Sequence, residues 1–232
     1  MPSTSIRSSR SNPLRVPNPA IRAVLWDFGG VITDSPFEAF RRFERDAGLP
    51  QDFLRRVNAA DPDTNAWARF ERSELTLAEF DAAFAEETAA AGHRVGGAQV
   101  VKLLYGTVRP AMVEALRRVG EHYITACLTN NVNTGPGHGL PTSDQRAEEV
   151  MRILAMFDHV IESRKVRARK PEARFYELAL ARLAVDPREA IYLDDLGINL
   201  KPARALGMTT IKVESVPQAL GELEDVLGLV LR

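Results

Sequence analysis

Five short apolar runs alternate with stretches of helical periodicity, and that alternation restricts the fold more than any other feature of the chain. The runs are Ile21–Trp26, Tyr123–Leu128, His159–Ser163, Ala190–Leu193 and Thr209–Val213. Each has the length of a buried strand. Before and between the last four lie segments with apolar residues three and four apart. Met112, Val113, Leu116 and Val119 form one stripe, behind a Pro110 suited to the first helical position, and Phe175, Leu178, Ala179 and Leu183 form another. Strands alternating with helices predict an α/β fold, a doubly wound parallel sheet covered on both faces.

One interval departs from this rhythm. From Ser35 to Gly106 no segment reads as a strand. Phe37, Phe40 and Phe43 recur at helical spacing, Gln51–Ala59 and Asn65–Phe70 are short helical candidates, and Gln99–Tyr105 is another. Thr76 and Glu79 match a capping box and open a longer helix that Gly92 ends. The expected organisation is therefore a core of residues 21–34 and 107–232, interrupted after its first strand by a helical unit of residues 35–106. The crossings at Asp34–Ser35 and Gly106–Thr107 are hinge candidates. The first 20 residues, rich in Ser, Arg, Pro and Asn, are expected to be a disordered tail without the apolar stretch of a secretory signal. Val132–Ser143, rich in Gly, Pro, Thr and Ser, is expected to be a loop beside the carboxyl ends of the strands.

Composition narrows the function classes. With 30 basic and 31 acidic side chains, the formal net charge of −1 offers nothing that points to nucleic acid or an anionic membrane as partner. No apolar run approaches the roughly 18 residues of a membrane span. The single cysteine, Cys127, lies inside an apolar run, which excludes an intramolecular disulfide, fits a reducing cytoplasm and suggests a small buried hydrophobe.

The carboxyl ends of the strands carry the chemistry. The first run ends on Asp27, followed by Gly29 and Gly30; the second ends on Thr129 and Asn130; the fourth ends on Asp194 and Asp195. Lys170 precedes Pro171 at the start of a helix. In an open parallel sheet these ends share one edge, where ligands bind. Three carboxylates, a hydroxyl and an ammonium on one crevice suit phosphoryl transfer. One carboxylate can attack phosphorus. Others can hold Mg²⁺, and a lysine can neutralise the transferring group. Each residue also has an ordinary use: Asp195 as a helix cap, Thr129 as a turn residue, Lys170 as a solvated charge.

Together, Asp27-Phe28-Gly29-Gly30-Val31, Leu128-Thr129-Asn130-Asn131, Arg169-Lys170-Pro171 and Tyr192-Leu193-Asp194-Asp195 resemble, in order, the four motifs of the haloacid dehalogenase superfamily. The helical insert resembles its type 1 cap. The run from Leu193 to Met208 is most similar to the subfamily that contains the N-terminal phosphatase domain of soluble epoxide hydrolase and the corresponding domain of acyl-CoA dehydrogenase family member 10. The resemblance implies Asp27 as nucleophile and metal ligand, with the Gly29 carbonyl, Asp194 and Asp195 completing a Mg²⁺ site. It implies Thr129 and Asn130 as holders of the phosphoryl group and Lys170 as its charge partner. The implied reaction is hydrolysis of a small phosphate monoester through an aspartyl-phosphate, by a monomer or homodimer.

One position departs from that pattern. Phosphatases of the superfamily usually carry a second Asp two residues after the nucleophile, as general acid and base, and here that residue is Gly29. The departure leaves open a slow phosphatase, a phosphatase with another proton carrier such as Asp34, or a binding protein that has lost catalysis. Dehalogenases of the superfamily also lack that Asp, since halide leaves without a proton. They typically show Tyr-Gly-Thr where this chain has Gly-Gly-Val, and they work without metal, so 2-haloacid dehalogenation is the minor alternative.

Overall fold

The computed structural model describes residues 17–104, 106–130 and 144–232. Five parallel strands form one sheet: β1 (Ala23–Trp26), β2 (Ile124–Thr129), β3 (His159–Glu162), β4 (Ala190–Asp194) and β5 (Thr209–Lys212), in the order β3-β2-β1-β4-β5. The central strand β1 pairs Trp26 with Cys127 on one side and with Leu193 on the other. Strand order reverses between β1 and β4, and the crevice at such a switch point is where open α/β sheets bind ligands.

Alternation along β1 builds two cores, because successive side chains point to opposite faces. Val24 and Trp26 pack with Met112 and Leu116 of α6 (Pro110–Val119) and with Leu220 and Leu223 of α11 (Val216–Leu227). Ala23 and Leu25 face Phe175, Tyr176 and Leu180 of α9 (Ala173–Leu183) and Leu200 of α10 (Gly197–Leu206). Helices on both faces make the doubly wound architecture expected of the sequence.

A third core forms among the helices between Pro36 and Val101. Helices α1 (Pro36–Asp46), α2 (Phe53–Ala60), α3 (Ala66–Glu71), α4 (Leu77–Ala90) and α5 (Gly97–Val101) enclose Phe40, Phe53, Leu54, Phe70, Phe80 and Phe84. Phe70 and Phe80 stack with ring centroids 4.3 Å apart. The capping box forms: Thr76 accepts from the Glu79 N–H, and the Glu79 carboxylate accepts from the Thr76 N–H at 2.8 Å. The two crossings lie side by side. Thr33 and Val108 form an antiparallel bridge, and the Asp34 N–H donates to the Thr107 carbonyl at 2.8 Å. Gly106 permits this approach, since a Cβ there would meet the Asp34 carbonyl oxygen at 2.3 Å.

Some boundaries differ from the sequence reading. Asn18, assigned to the tail, is fastened to the end of α11: its N–H donates to Leu227 O and its side-chain amide to Val226 O, both at 2.9 Å. Strand β3 stops at Glu162, and the basic stretch after it opens with a helical turn, α8 (Ser163–Val166), rather than a continuous lead. The expected 132–143 loop and residues 1–16 of the tail lie outside the described residues. Among the described residues no helix is long and apolar enough to cross a membrane.

Candidate active site

The Asp27 N–H donates to Leu193 O at 2.8 Å, which fixes the end of β1 against β4. Beyond it Phe28–Ile32 turn back on themselves, closed by the Thr33 N–H on Phe28 O at 3.1 Å. The turn aims the Phe28 N–H at Asp27 Oδ1, 2.6 Å away. Gly30 sits in it at φ +82°, in the left-handed region that glycine adopts without strain.

Lys170 reaches into the crevice from the segment before α9. It is 2% exposed, and its Nζ lies 2.7 Å from Asp27 Oδ1 and 3.0 Å from Asp194 Oδ2. Burial pushes the Lys170 ammonium down, but the facing carboxylates of Asp194 and Asp27 more than offset it, and the net shift is upward. The lysine is therefore held charged.

Asp194 is fully buried and surrounded by donors. Besides Lys170, it accepts from the Tyr192 hydroxyl, from the Leu196 N–H at 2.8 Å, and from the Asn199 amide at 3.1 Å on each oxygen. Tyr192 shares its face of β4, two residues earlier, and Asn199 comes from the first turn of α10. Such a saturated carboxylate can hold Lys170 in place.

Asp195 has fewer partners. Its Oδ2 accepts from the Ser35 hydroxyl at 2.9 Å, so the first residue of the helical unit touches the end of β4. Burial raises its carboxyl, the neighbouring Asp194 adds to this, and Ser35 opposes it. Burial likewise drives the Asp27 carboxyl up, to about 8, with Lys170 opposing and Asp194 and Asp195 assisting.

Oxygen atoms of Asp27, Asp194 and Asp195 all lie within 4.8 Å of one another. Three carboxylates against one ammonium leave an excess of negative charge in a buried crevice, the condition under which a hard divalent cation is favoured. The donor set, all oxygen, fits Mg²⁺. Asp27, Asp194 and Asp195 could hold such an ion, and of the three Asp194 is the one already surrounded by hydrogen bonds.

The remaining expected residues fall on the same edge. Thr129 ends β2, half-buried and in register with Glu162. Asn130 clamps the lysine backbone: its Oδ1 accepts from the Lys170 N–H and its Nδ2 donates to Lys170 O, both at 2.9 Å. Its amide thus orients Lys170 in this structure. An ideal Cβ on Gly29 would meet no atom within 4 Å, so the space of the missing Asp is open. Asp34, the candidate replacement acid, pairs instead with Arg109 Nε at 3.2 Å, while Arg109 Nη1 donates to Gly30 O at 2.7 Å. Cys127 is fully buried, and burial pushes its thiol up, as a core residue requires.

The sequence assigned no role in the site to Ser35, Tyr192, Asn199, Arg109 and Glu71, although Tyr192 and Asn199 lie in the segments that carry the resemblance. Glu71, at the end of α3, accepts from the Trp67 indole at 2.9 Å, from Arg169 Nε at 2.5 Å and from Asn130 Nδ2 at 3.2 Å. Only Tyr192 and Asn199 carried a local signal, through their spacing from Asp194.

Residues 21–207 match the model of a haloacid dehalogenase-like hydrolase. The chain is 34% identical over 221 residues to acyl-CoA dehydrogenase family member 10 of Mus musculus, covering 90% of this chain and 19% of that protein. It is 30% identical over 224 residues to bifunctional epoxide hydrolase 2 of Mus musculus, covering 90% and 39%. The chain thus spans less than half the length of these two relatives. Sesquiterpene phosphatase astK of Aspergillus oryzae (strain ATCC 42149 / RIB 40) is 23% identical over 210 residues, covering 89% of this chain and 97% of that protein. Two solved structures share the fold. One is a HAD family enzyme of Bacteroides thetaiotaomicron in complex with magnesium and inorganic phosphate (TM-score 0.53, 19% identity, 83% and 93% covered). The other is L-2-haloacid dehalogenase of Xanthobacter autotrophicus with chloropropionic acid covalently bound (TM-score 0.56, 18% identity, 88% and 82% covered).

Proposed function

Since the chain belongs to the haloacid dehalogenase-like hydrolases, we propose that it hydrolyses small phosphate monoesters through an aspartyl-phosphate on Asp27, with Mg²⁺ as cofactor and residues 35–106 as the cap. The observation that carries this reading is Lys170 Nζ between Asp27 and Asp194, in a crevice where three carboxylates converge. A thiol-based hydrolase would need a reactive Cys here, and Cys127, the one cysteine of the chain, is buried in the core.

Asp27 supplies the attacking carboxylate oxygen. The new bond joins that oxygen to phosphorus, and the bond from phosphorus to the ester oxygen breaks, the ester oxygen keeping the electron pair and departing as a phenolate or, after taking a proton from water, as an alcohol. Lys170 neutralises charge on the carboxylate and on the phosphoryl oxygens. Asp194, through Lys170, and Asn130, through the lysine backbone, hold the ammonium at this position. Thr129 completes the cradle from the end of β2. Mg²⁺, when bound, supplies charge neutralisation of the phosphoryl group. Water then attacks phosphorus, inorganic phosphate leaves, and the Asp27 carboxylate is restored. The phosphatase among the relatives supports the substrate class.

The open space at Gly29 and the pairing of Asp34 with Arg109 favour a second reading, in which the family's site binds a ligand without turnover. Hydrolysis of p-nitrophenyl phosphate with and without Mg²⁺ separates the two. Release of halide from a 2-haloacid in the absence of metal, with no phosphatase activity, would favour dehalogenation over both.

A further inference from the structure

We propose that Glu71 is a positioning residue, which ties the seating of the helical unit to the placement of Lys170 through Arg169 and the Asn130 amide. The inference rests on the phosphohydrolase reading above and adds to it a residue from outside the four motifs.

Glu71 ends a six-residue helix, yet its carboxylate is buried and receives three donors. Two belong to the sheet domain: Arg169 Nε and Asn130 Nδ2, both on Oε2. Arg169 also donates from Nη1 to the Pro62 carbonyl at 2.8 Å, so one guanidinium holds the unit at two points. The neighbouring residue repeats the contact with reversed charge: Arg72 Nη1 lies 3.2 Å from Glu172 Oε1. Arg169 and Glu172 stand on either side of Lys170-Pro171, but of the two ion pairs only the one at Glu71 also reaches the Asn130 amide.

A buried ion pair is a costly way to hold two surfaces together, and its best-attested use is to fix register. The register fixed here is that of Asn130. Its amide oxygen and one donor contact are committed to the Lys170 backbone, and its Nδ2 also donates to Glu71 Oε2. When the helical unit is seated, Asn130 cannot turn without breaking the Glu71 contact. When the unit lifts, Arg169 and Asn130 lose this partner together. Glu71 therefore reports the unit's position to the segment that carries the ammonium.

The test uses the full chain. The chain has two tryptophans, so two indole N–H signals are expected in a ¹H–¹⁵N spectrum, and Trp67→Phe assigns the one bonded to Glu71. Saturation with Mg²⁺ and inorganic phosphate should shift the Trp67 signal, and Glu71→Gln should abolish that response. Glu71→Gln should also lower kcat on p-nitrophenyl phosphate about tenfold with KM changed less than about twofold. Arg72→Ala, which breaks the other ion pair across the boundary, should change kcat less than about twofold. If Glu71→Gln does not fold, Glu71→Asp keeps the charge, shortens the reach and is read the same way. Unchanged kcat in the Glu71 variant, a Trp67 signal indifferent to phosphate, or an equal loss in Arg72→Ala overturns the inference. A wild type that hydrolyses nothing but whose Trp67 signal responds to phosphate through Glu71 overturns the phosphatase reading and leaves the coupling standing.

Discussion

Gly30 lies against the carboxylate of Asp195: a Cβ on Gly30 would stand 2.2 Å from Oδ2 and 2.3 Å from Cγ. The turn after the proposed nucleophile and the end of β4 are thus packed with no room for a methyl group. The same glycine holds φ +82°.

Gly30→Ala should therefore be severe. The strain of a left-handed non-glycine residue costs about 1–3 kcal/mol, and Asp195 must also move. Urea unfolding should show that loss, and Mg²⁺-dependent hydrolysis should fall more than about tenfold. Gly29→Ala, whose Cβ meets nothing within 4 Å at φ −73°, should change stability by less than about 1 kcal/mol.

Gly29→Asp should act on the leaving group. A p-nitrophenolate departs without a proton, and an alkoxide needs one. The wild type should hydrolyse an aryl phosphate better than an alkyl phosphate. The new carboxyl, placed in open space, should raise the alkyl rate preferentially, by up to about 10²–10⁴-fold. Equal alkyl and aryl rates in the wild type would show that another group already supplies the proton.

The raised carboxyls predict a pH-dependent gain from metal. Asp27 and Asp195 hold protons more tightly in the folded chain than in the unfolded one. Between the ordinary carboxylate range and about 8, the folded state binds more protons, so metal-free stability falls as pH rises. Mg²⁺ favours the ionised carboxylates and should offset this loss. Thermal unfolding should show a larger Mg²⁺-induced rise in Tm at pH 8 than at pH 5. A rise independent of pH would place the ion elsewhere.

The sheet and the motif residues were legible because their signals are local. An apolar run ending on Asp27 or on Asp194-Asp195 says both strand and carboxyl edge. Thr76 and Glu79 announced their helix by a three-residue spacing. What escaped was contact across the chain. Ser35 meets Asp195, and Glu71 meets Arg169 and Asn130, at separations of 160, 98 and 59 residues, and no periodicity encodes such pairs. Asp34, a hinge candidate in the sequence, does lie at the crossing into the helical unit, but its pairing with Arg109, 75 residues away, had no local signal. The substrate is hidden for the same reason, since whatever selects it is shaped by tertiary packing.

Asp27 is the centre of this account, and the direct measurement is turnover of p-nitrophenyl phosphate with Mg²⁺ by wild type and Asp27→Asn, with the quenched proteins digested and Asp27 inspected by mass spectrometry. Hydrolysis should stop when EDTA removes the metal, phosphate should be found on Asp27 in the quenched wild type, and Asp27→Asn should show no turnover. Turnover by Asp27→Asn comparable to the wild type, with no phosphate found on Asp27, would contradict it.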